Sequence, residues 1–338
     1  MTPTDFAKLL SNYFTQHLII AKNCSKNTIN SYKDAFKQLL LFANSKMNIS
    51  EKKLQIKDIT KSFILDFLNW LETENNSNIR TRNQRLAVLH SFFSYVQHNE
   101  PDKIFQCQEI LSIKTKKFTI NSVDFLTSED LQILLNQPNP IIKNERKHLV
   151  LLSLMYDTGA RVQEICDLKV SNIIFNNNDI YIKITGKGNK TRIVPIDEKM
   201  KNLLNKYLND FSLNNSENND CYLFTNHSKN KLSRQGITHI LNKYYLIACS
   251  NHLFKNPIKI SPHTLRHTRA IHLLQAGVDL IYIRDILGHS SVKTTELYAR
   301  VITEQKRTAI EKVSGNINDQ IPEWNINADL LEWLNSFK

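Results

Sequence analysis

The stretch "HTLRHTRAIHLLQAGV", from His263 to Val278, places two histidines four residues apart with an arginine between them. It is followed by "LGHSS" at 287–291 and "TTELYAR" at 294–300. The leucines and isoleucine of the first stretch predict an amphipathic helix, with breaks at Gly277 and Gly288. The sequence therefore indicates a helical framework that carries several chemically active side chains close together.

A zinc site is one interpretation, because His263 and His267 would share one helix face as in HExxH proteases. Thr264 stands where that motif needs its glutamate, and the sequence offers no evident third ligand. A nucleotide-binding loop at "GKGNKTR", residues 186–192, is a second interpretation, but its glycine spacing fits neither the Walker nor the dinucleotide pattern. We therefore expect no metal and no cofactor.

Composition and charge narrow the class of protein. The chain has 338 residues, of which 41% are hydrophobic, and this length favours two domains over one. Lys and Arg outnumber Asp and Glu by 44 to 32, which gives a net charge of +12. Such a charge suits a nucleic acid partner, although a merely soluble basic protein would show it too.

The five cysteines, at positions 24, 107, 166, 221 and 249, include no CxxC pair, so we expect neither a disulfide framework nor a zinc cluster. The N-terminus "MTPTDFAKLL" lacks the pattern of a signal peptide, and no apolar run is long enough for a membrane span. We expect no membrane association and a cytoplasmic location, at the nucleoid.

Periodicity predicts a helical front domain over residues 1–111. It should contain four amphipathic helices. The first begins near Phe6, and the other three cover about 27–45, 61–73 and 78–97. Residues 112–123, "SIKTKKFTINSV", lose the periodicity and predict a basic linker. Thr127 and Asp130 match a capping box, and a second domain is expected over 124–315.

This second domain is predicted to be helical with a small antiparallel sheet, since "DIYIKITGKGNKTRIVPI" alternates like a hairpin. The predicted fold class is therefore mainly α. A tail follows at 316–338, where apolar residues at three- and four-residue steps predict a short amphipathic helix. The tail has four acidic residues against Lys338 alone, so we do not expect it to bind DNA.

Basic residues outside the motifs are candidates for DNA contacts. Residues 1–120 carry 17 Lys and Arg against 10 Asp and Glu, and a helix start with three arginines suits phosphates. A solvated charged face is the alternative. The predicted DNA-binding residues are Arg80, Arg82, Arg85, Lys114, Lys116, Lys117, Arg192 and Arg234.

Six polar residues stand in a fixed order along the second domain: Arg161, Lys187, His263, Arg266, His289 and Tyr298. Lys187 follows Arg161 by 26 residues, Arg266 follows His263 by three, His289 follows by 23 more, and Tyr298 by nine more. In order and spacing the set resembles the tyrosine recombinase family, which includes phage integrases, Xer-type recombinases and tyrosine transposases. The resemblance covers almost the whole chain and implies a two-domain, C-shaped clamp around double-stranded DNA.

The resemblance also implies a mechanism. Arg161 and Arg266 would neutralise the nonbridging oxygens of a phosphodiester, and guanidiniums can do this without a metal because they remain charged. Tyr298 would attack phosphorus while His263 accepts its proton. The resulting 3′-phosphotyrosine would conserve the energy of the broken bond, so rejoining would need no ATP.

Two further roles and the assembly follow from the same resemblance. His289 would hydrogen-bond to the phosphate, and Lys187 would protonate the departing 5′ oxygen. His267 and His272 are left out, since a histidine on an apolar helix face is more often structural. The tail would dock on a neighbouring chain in a synaptic tetramer, with a dimer on each site.

The predicted function is site-specific DNA recombination by an integrase or transposase of a mobile element. Two alternatives remain open: a DNA-binding protein of this fold without chemistry, and a type IB topoisomerase-like enzyme. The sequence does not identify the target site or an accessory directionality protein.

Overall fold

The computed structural model describes residues 3–118, 123–176, 179–214, 219–254, 256–289, 291, 295–296, 298–299 and 303. The chain divides into two compact units, residues 1–120 and 121–338. The predicted tail at 316–338 lies outside the described residues, as does most of the chain after Tyr298. None of the helices in the described ranges is long and apolar enough to span a membrane.

The N-terminal unit is helical, as its periodicity predicts. A π-helical stretch, Tyr13–Ala21, continues the first helix, and Thr60 and Asn78 cap the third and fourth by accepting bonds from backbone amides. The α-helices are α1 Asp5–Asn12, α2 Lys26–Met47, α3 Lys61–Thr73, α4 Ile79–Asn99 and α5 Ile104–Leu111. The sequence analysis predicted four helices and missed α5.

Aromatic rings fill the core of this unit. Phe92 of α4 makes edge-to-face contacts with Phe36 of α2 at 5.2 Å and with Phe6 of α1 at 6.0 Å between ring centroids. Phe92 and Phe36 are at most 2% exposed. This packing fixes α4 against two other helices, so the arginines near its start are held on a rigid element.

The second unit is also mainly helical. The oxygen of Thr127 accepts a bond from the backbone N of Asp130 at 3.1 Å, at the predicted helix start. The helices are α6 Ser128–Leu135, α7 Lys143–Thr158, α8 Val162–Cys166, α9 Glu198–Asp210, α10 Arg234–Ser250, α11 Pro262–Gln275 and α12 Leu280–Leu287.

A three-stranded antiparallel sheet, in the order β1-β2-β3, lies beside these helices. Its strands are β1 Ile173–Asn176, β2 Asp179–Thr185 and β3 Thr191–Pro195. Ile182 pairs with Ile173 and with Val194, and all three side chains belong to the main core of this unit. The predicted hairpin and the mainly α fold class are confirmed, whereas β1 was not predicted.

Candidate active site

Arg161 stands at the start of α8, directly after the turn that ends α7. Gly159 makes this turn with φ +54°, a conformation that favours glycine. The Arg161 guanidinium donates from Nη1 to Glu164 Oε1 at 2.8 Å and from Nη2 to the carbonyl of Gly288 at 3.2 Å. Its side chain is 32% exposed, so it keeps access to solvent and to a ligand.

Glu164 joins two arginines. Its buried carboxylate accepts a bond from Arg161 and another from Arg192 Nη2 at 2.7 Å. Burial alone would raise the pKa of this carboxyl, but the hydrogen bonds and charge of Arg192, with those of Arg161, lower the pKa below its usual value. Glu164 is therefore ionised at neutral pH and holds both guanidiniums in place.

Arg266 is the most enclosed cation of the site. It lies on α11, whose start is capped by Ser261, and its side chain is only 3% exposed. Nη1 donates to the carbonyl of Gly159 and Nη2 to the carbonyl of Leu287, each at 2.7 Å. Burial, and then the charge of Arg161, lower the pKa of Arg266 to about 10, so it stays protonated at neutral pH.

Tyr298 belongs to a small core cluster with residues of α11 and α12 and is 2% exposed. Its hydroxyl lies 2.9 Å from Nδ1 of His267. Burial raises the pKa of the phenol, while the positive charges of Arg266 and Arg161 pull it down. Both guanidiniums therefore act electrostatically on the same phenol that the sequence predicted as nucleophile.

Of the two predicted histidines, His289 lies against this tyrosine, and His263 stacks on the tyrosine's hydrogen-bond partner His267. The ring of His289 stacks on Tyr298 with centroids 6.4 Å apart, and its Nδ1 is 3.0 Å from Thr295 Oγ1. Burial and the charge of Arg266 lower the pKa of His289 to about 4. The pKa of His263 is also lowered, first by burial and then by Arg266 and Arg161. Both rings are therefore neutral at pH 7.

Lys187 begins the short turn, Lys187–Asn189, that joins β2 to β3. The backbone thus places this lysine at the tip of the predicted hairpin. The other five predicted catalytic residues contact or act electrostatically on one another within the second unit.

Two functional neighbours were missed from the sequence. His267, which was set aside as structural, contacts the Tyr298 hydroxyl, and Glu164 links the arginines. The position of Glu164, three residues after Arg161 at a helix start, was the available signal. His272, also set aside, contacts Tyr156 Oη at 2.9 Å and the Leu126 carbonyl at 3.0 Å, which is a structural role.

Two of the predicted DNA-binding residues, Arg192 and Arg82, have side chains that are largely enclosed in the structure. The side chain of Arg192 is 10% exposed and bonded to Glu164, which also holds Arg161, so Arg192 supports that arginine and does not face solvent. Arg82 is 4% exposed, and its Nε lies 3.3 Å from Glu72 Oε1. Arg82 is therefore buried beside Glu72, because α4 turns this position towards the core, and its contact with DNA stays a prediction.

The other predicted DNA-binding residues differ in exposure and in whether they are already bonded within the protein. Arg85 is half-buried and donates to Gln38 Oε1 at 2.8 Å, and Lys116 pairs with Glu72 at 2.8 Å. The charge of Lys116 is therefore neutralised by a carboxylate, whereas Arg85 is held by neutral oxygens and keeps its charge. The exposed ones without such a bond are Arg80, Lys114, Lys117 and, at the start of α10, Arg234.

Comparison with known proteins identifies the family. Residues 124–305 match the profile of the Phage integrase family, and residues 12–100 match that of the phage integrase N-terminal SAM-like domain. A putative integrase/recombinase, y4rC, of Sinorhizobium fredii is 34% identical over 308 residues, 91% of each chain. The tyrosine recombinase XerD of Rickettsia bellii is 31% identical over 88% of this chain and 95% of its own.

A solved structure shares the fold. The Tn1549 transposon integrase, in complex with transposon right end DNA, superposes with a TM-score of 0.68 over 90% of this chain and 98% of that one, at 16% identity. The fold, the family match over more than half of the chain and the curated relatives agree. The chain belongs to the phage integrase family and is a tyrosine recombinase that acts in site-specific recombination.

Proposed function

We propose that this protein cleaves and rejoins double-stranded DNA through a 3′-phosphotyrosine at Tyr298, without metal or ATP, as the integrase or transposase of a mobile element. The observation that carries the proposal is the place of Tyr298, which is enclosed with α11 and α12, stacks on His289, and lies within the electrostatic influence of Arg161 and Arg266. The name of the y4rC relative, an integrase/recombinase, favours the mobile-element role. The proposed place of action is DNA in the cytoplasm, at the nucleoid.

The chemistry is a phosphoryl transfer with balanced bonds. The Tyr298 oxygen forms a bond to phosphorus, the bond from phosphorus to the 5′ oxygen breaks, and Lys187 protonates the leaving oxygen. His263 accepts the phenolic proton. Two guanidiniums and His289 stabilise the charge on the nonbridging oxygens, which is the role that preorganised donors have in phosphoryl transfer.

Rejoining is the same reaction in reverse, with a 5′ hydroxyl from a second strand as the nucleophile. We propose that it takes place in a tetramer of this chain on two DNA sites. In that assembly the acidic tail at 316–338 would pack on a neighbouring chain, since its predicted apolar helix face needs a cover.

The test is covalent trapping on a nicked duplex built from the DNA that flanks the gene. We expect the wild-type chain to give a denaturant-resistant protein–DNA band that persists in excess EDTA. Tyr298→Phe should bind the duplex with unchanged affinity and give no band, because it lacks only the hydroxyl.

Each other result would decide against part of the proposal. A band from Tyr298→Phe removes this tyrosine as nucleophile, and rescue of an EDTA-treated sample by magnesium requires a metal. Binding without any band makes the chain a DNA-binding protein alone. Relaxation of a supercoiled plasmid with a single site, without exchange between two sites, favours the topoisomerase alternative.

A further inference from the structure

The hydroxyl of Tyr298 is held by a residue that has no role in the proposed reaction. Nδ1 of His267 lies 2.9 Å from this oxygen, whereas neither histidine with a proposed role, His263 or His289, is hydrogen-bonded to it among the described residues. The two residues are 31 positions apart in the chain. The contact therefore depends on how α11 packs against the segment that carries Tyr298.

The surroundings leave the tyrosine little freedom. Its ring lies 5.6 Å from the ring of His267, at an angle of 56°, and 6.4 Å from that of His289 at 19°. Buried Ile271 and Ile283 belong to the same core cluster. The aromatic and aliphatic neighbours fix the ring, and His267 supplies the polar contact that fixes the oxygen.

The charge state of His267 determines what this contact can do. Burial, followed by the charges of His263 and Arg266, lowers its pKa to about 4, and Asp124 opposes this only in part. A neutral imidazole can accept the phenolic hydrogen at Nδ1. The same low basicity makes His267 a poor final acceptor for the proton of a phenol whose own pKa is raised by burial. His267 is therefore better suited to orienting the phenol than to acting as its general base.

We propose that His267 is a positioning residue, which holds the Tyr298 hydroxyl through Nδ1 at a fixed place beside Arg266 and His289 for attack on a DNA phosphate. The proposal rests on the proposed role of Tyr298 as nucleophile. Holding a nucleophile near its attack geometry removes orientational freedom that would otherwise add to the barrier. His263, the proposed proton acceptor, stacks on His267 with ring centroids 6.2 Å apart, so it lies beside the residue that holds the hydroxyl.

Three variants test this role through the position of one polar atom. His267→Phe keeps a ring and removes both nitrogens, His267→Asn keeps a polar atom near the place of Nδ1, and His267→Gln places one near Nε2. With saturating nicked duplex, we expect the Phe and Gln variants to form the covalent adduct about 10- to 100-fold more slowly. The Asn variant should recover most of the rate. DNA affinity should stay unchanged in all three.

The pattern among the variants separates positioning from a structural role. If Asn is no faster than Gln, or if Phe reacts at the wild-type rate, His267 does not position the hydroxyl. Thermal melting accompanies each measurement, and if the Phe variant does not fold, the Asn and Gln pair carries the comparison.

A second measurement needs neither DNA nor a His267 variant. The ultraviolet difference between the wild-type chain and Tyr298→Phe, followed from neutral to alkaline pH, isolates the ionisation of this phenol. We expect it to ionise at higher pH than an exposed tyrosine; ionisation near pH 10, the ordinary value, would overturn the proposal because the hydroxyl would then not be held in the enclosure. If the phenol ionises at raised pH as expected but the wild-type chain forms no adduct, the proposed function fails while the enclosure of Tyr298 stands.

Discussion

The start of α4 and the region around Tyr298 are both rich in arginine, but their guanidiniums meet different partners. At α4 the buried Arg82 lies against the carboxylate of Glu72, which also pairs with Lys116. In the second unit Arg266 is bonded to two backbone carbonyls. A carbonyl fixes a guanidinium without cancelling its charge, whereas a carboxylate neutralises it.

The difference explains how a buried arginine can still serve a phosphate. Among the described residues, Arg161 and Arg192 share Glu164, and the hydrogen bonds of Arg266 go to neutral carbonyls. The second unit therefore keeps an excess of positive charge in an enclosed place, where it acts strongly on an incoming anion. At α4 the exposed Arg80 and the half-buried Arg85, which is held by neutral oxygens, are left to supply such a charge.

The sharpest test of this comparison is Arg266→Lys. Lysine keeps the charge but cannot reach two carbonyls and offer a planar fork to phosphate at the same time. We expect adduct formation at saturating DNA to fall by about 10²- to 10³-fold, the usual effect of removing one preorganised donor. Single-turnover trapping on the nicked duplex measures it. Arg161→Lys is the matched control for stability, because its side chain is about one-third exposed and its replacement should lower the melting temperature less. Equal rates of adduct formation for Arg266→Lys and the wild type would contradict the comparison.

A smaller effect is expected from Arg82→Met, which removes a buried charge and keeps most of the volume. Glu72 retains its ion pair with Lys116 at 2.8 Å, so the carboxylate is not stranded. We expect the free energy of unfolding to fall by about 1–3 kcal/mol, as for a buried polar group that loses a partner. Urea denaturation followed by circular dichroism measures it. DNA affinity lost without any loss of stability would return Arg82 to the DNA-binding set.

The smallest effect should come from Arg80→Gln. If this exposed side chain contacts a phosphate, its neutralisation should lower the slope of log affinity against log salt by about one unit. Fluorescence anisotropy on a duplex over a range of salt concentrations gives the slope. Arg82→Met in the same titration should leave the slope unchanged, and equal slopes for Arg80→Gln and the wild type would assign Arg80 to a solvated surface.

The sequence was most informative where the order and spacing of residues along the chain indicate a structure or a function. The six predicted catalytic residues could be selected because their order and spacing resemble those of tyrosine recombinases, and helices α2 to α4 could be predicted from their periodicity. The eight-residue helix α5 and the four-residue strand β1 are too short for a periodic pattern. The contact of His267 with Tyr298 and the burial of Arg82 could not be predicted, because each depends on packing between residues distant in the chain.

Gly159 shows how the need to hold Arg266 restricts which substitutions this chain can accept. A Cβ at position 159 would lie 2.5 Å from Leu287 Cδ2, so the Leu287 side chain would have to move to admit it, and the φ of +54° adds strain for any other residue. Residues 159 and 287 also supply the two carbonyls that hold Arg266. In a library of all substitutions, we expect position 159 to favour glycine because of its positive φ, although it presents no side chain to DNA. A second substitution could restore function only by moving the ends of both helices together. We therefore expect positions 159 and 287 to change together or not at all.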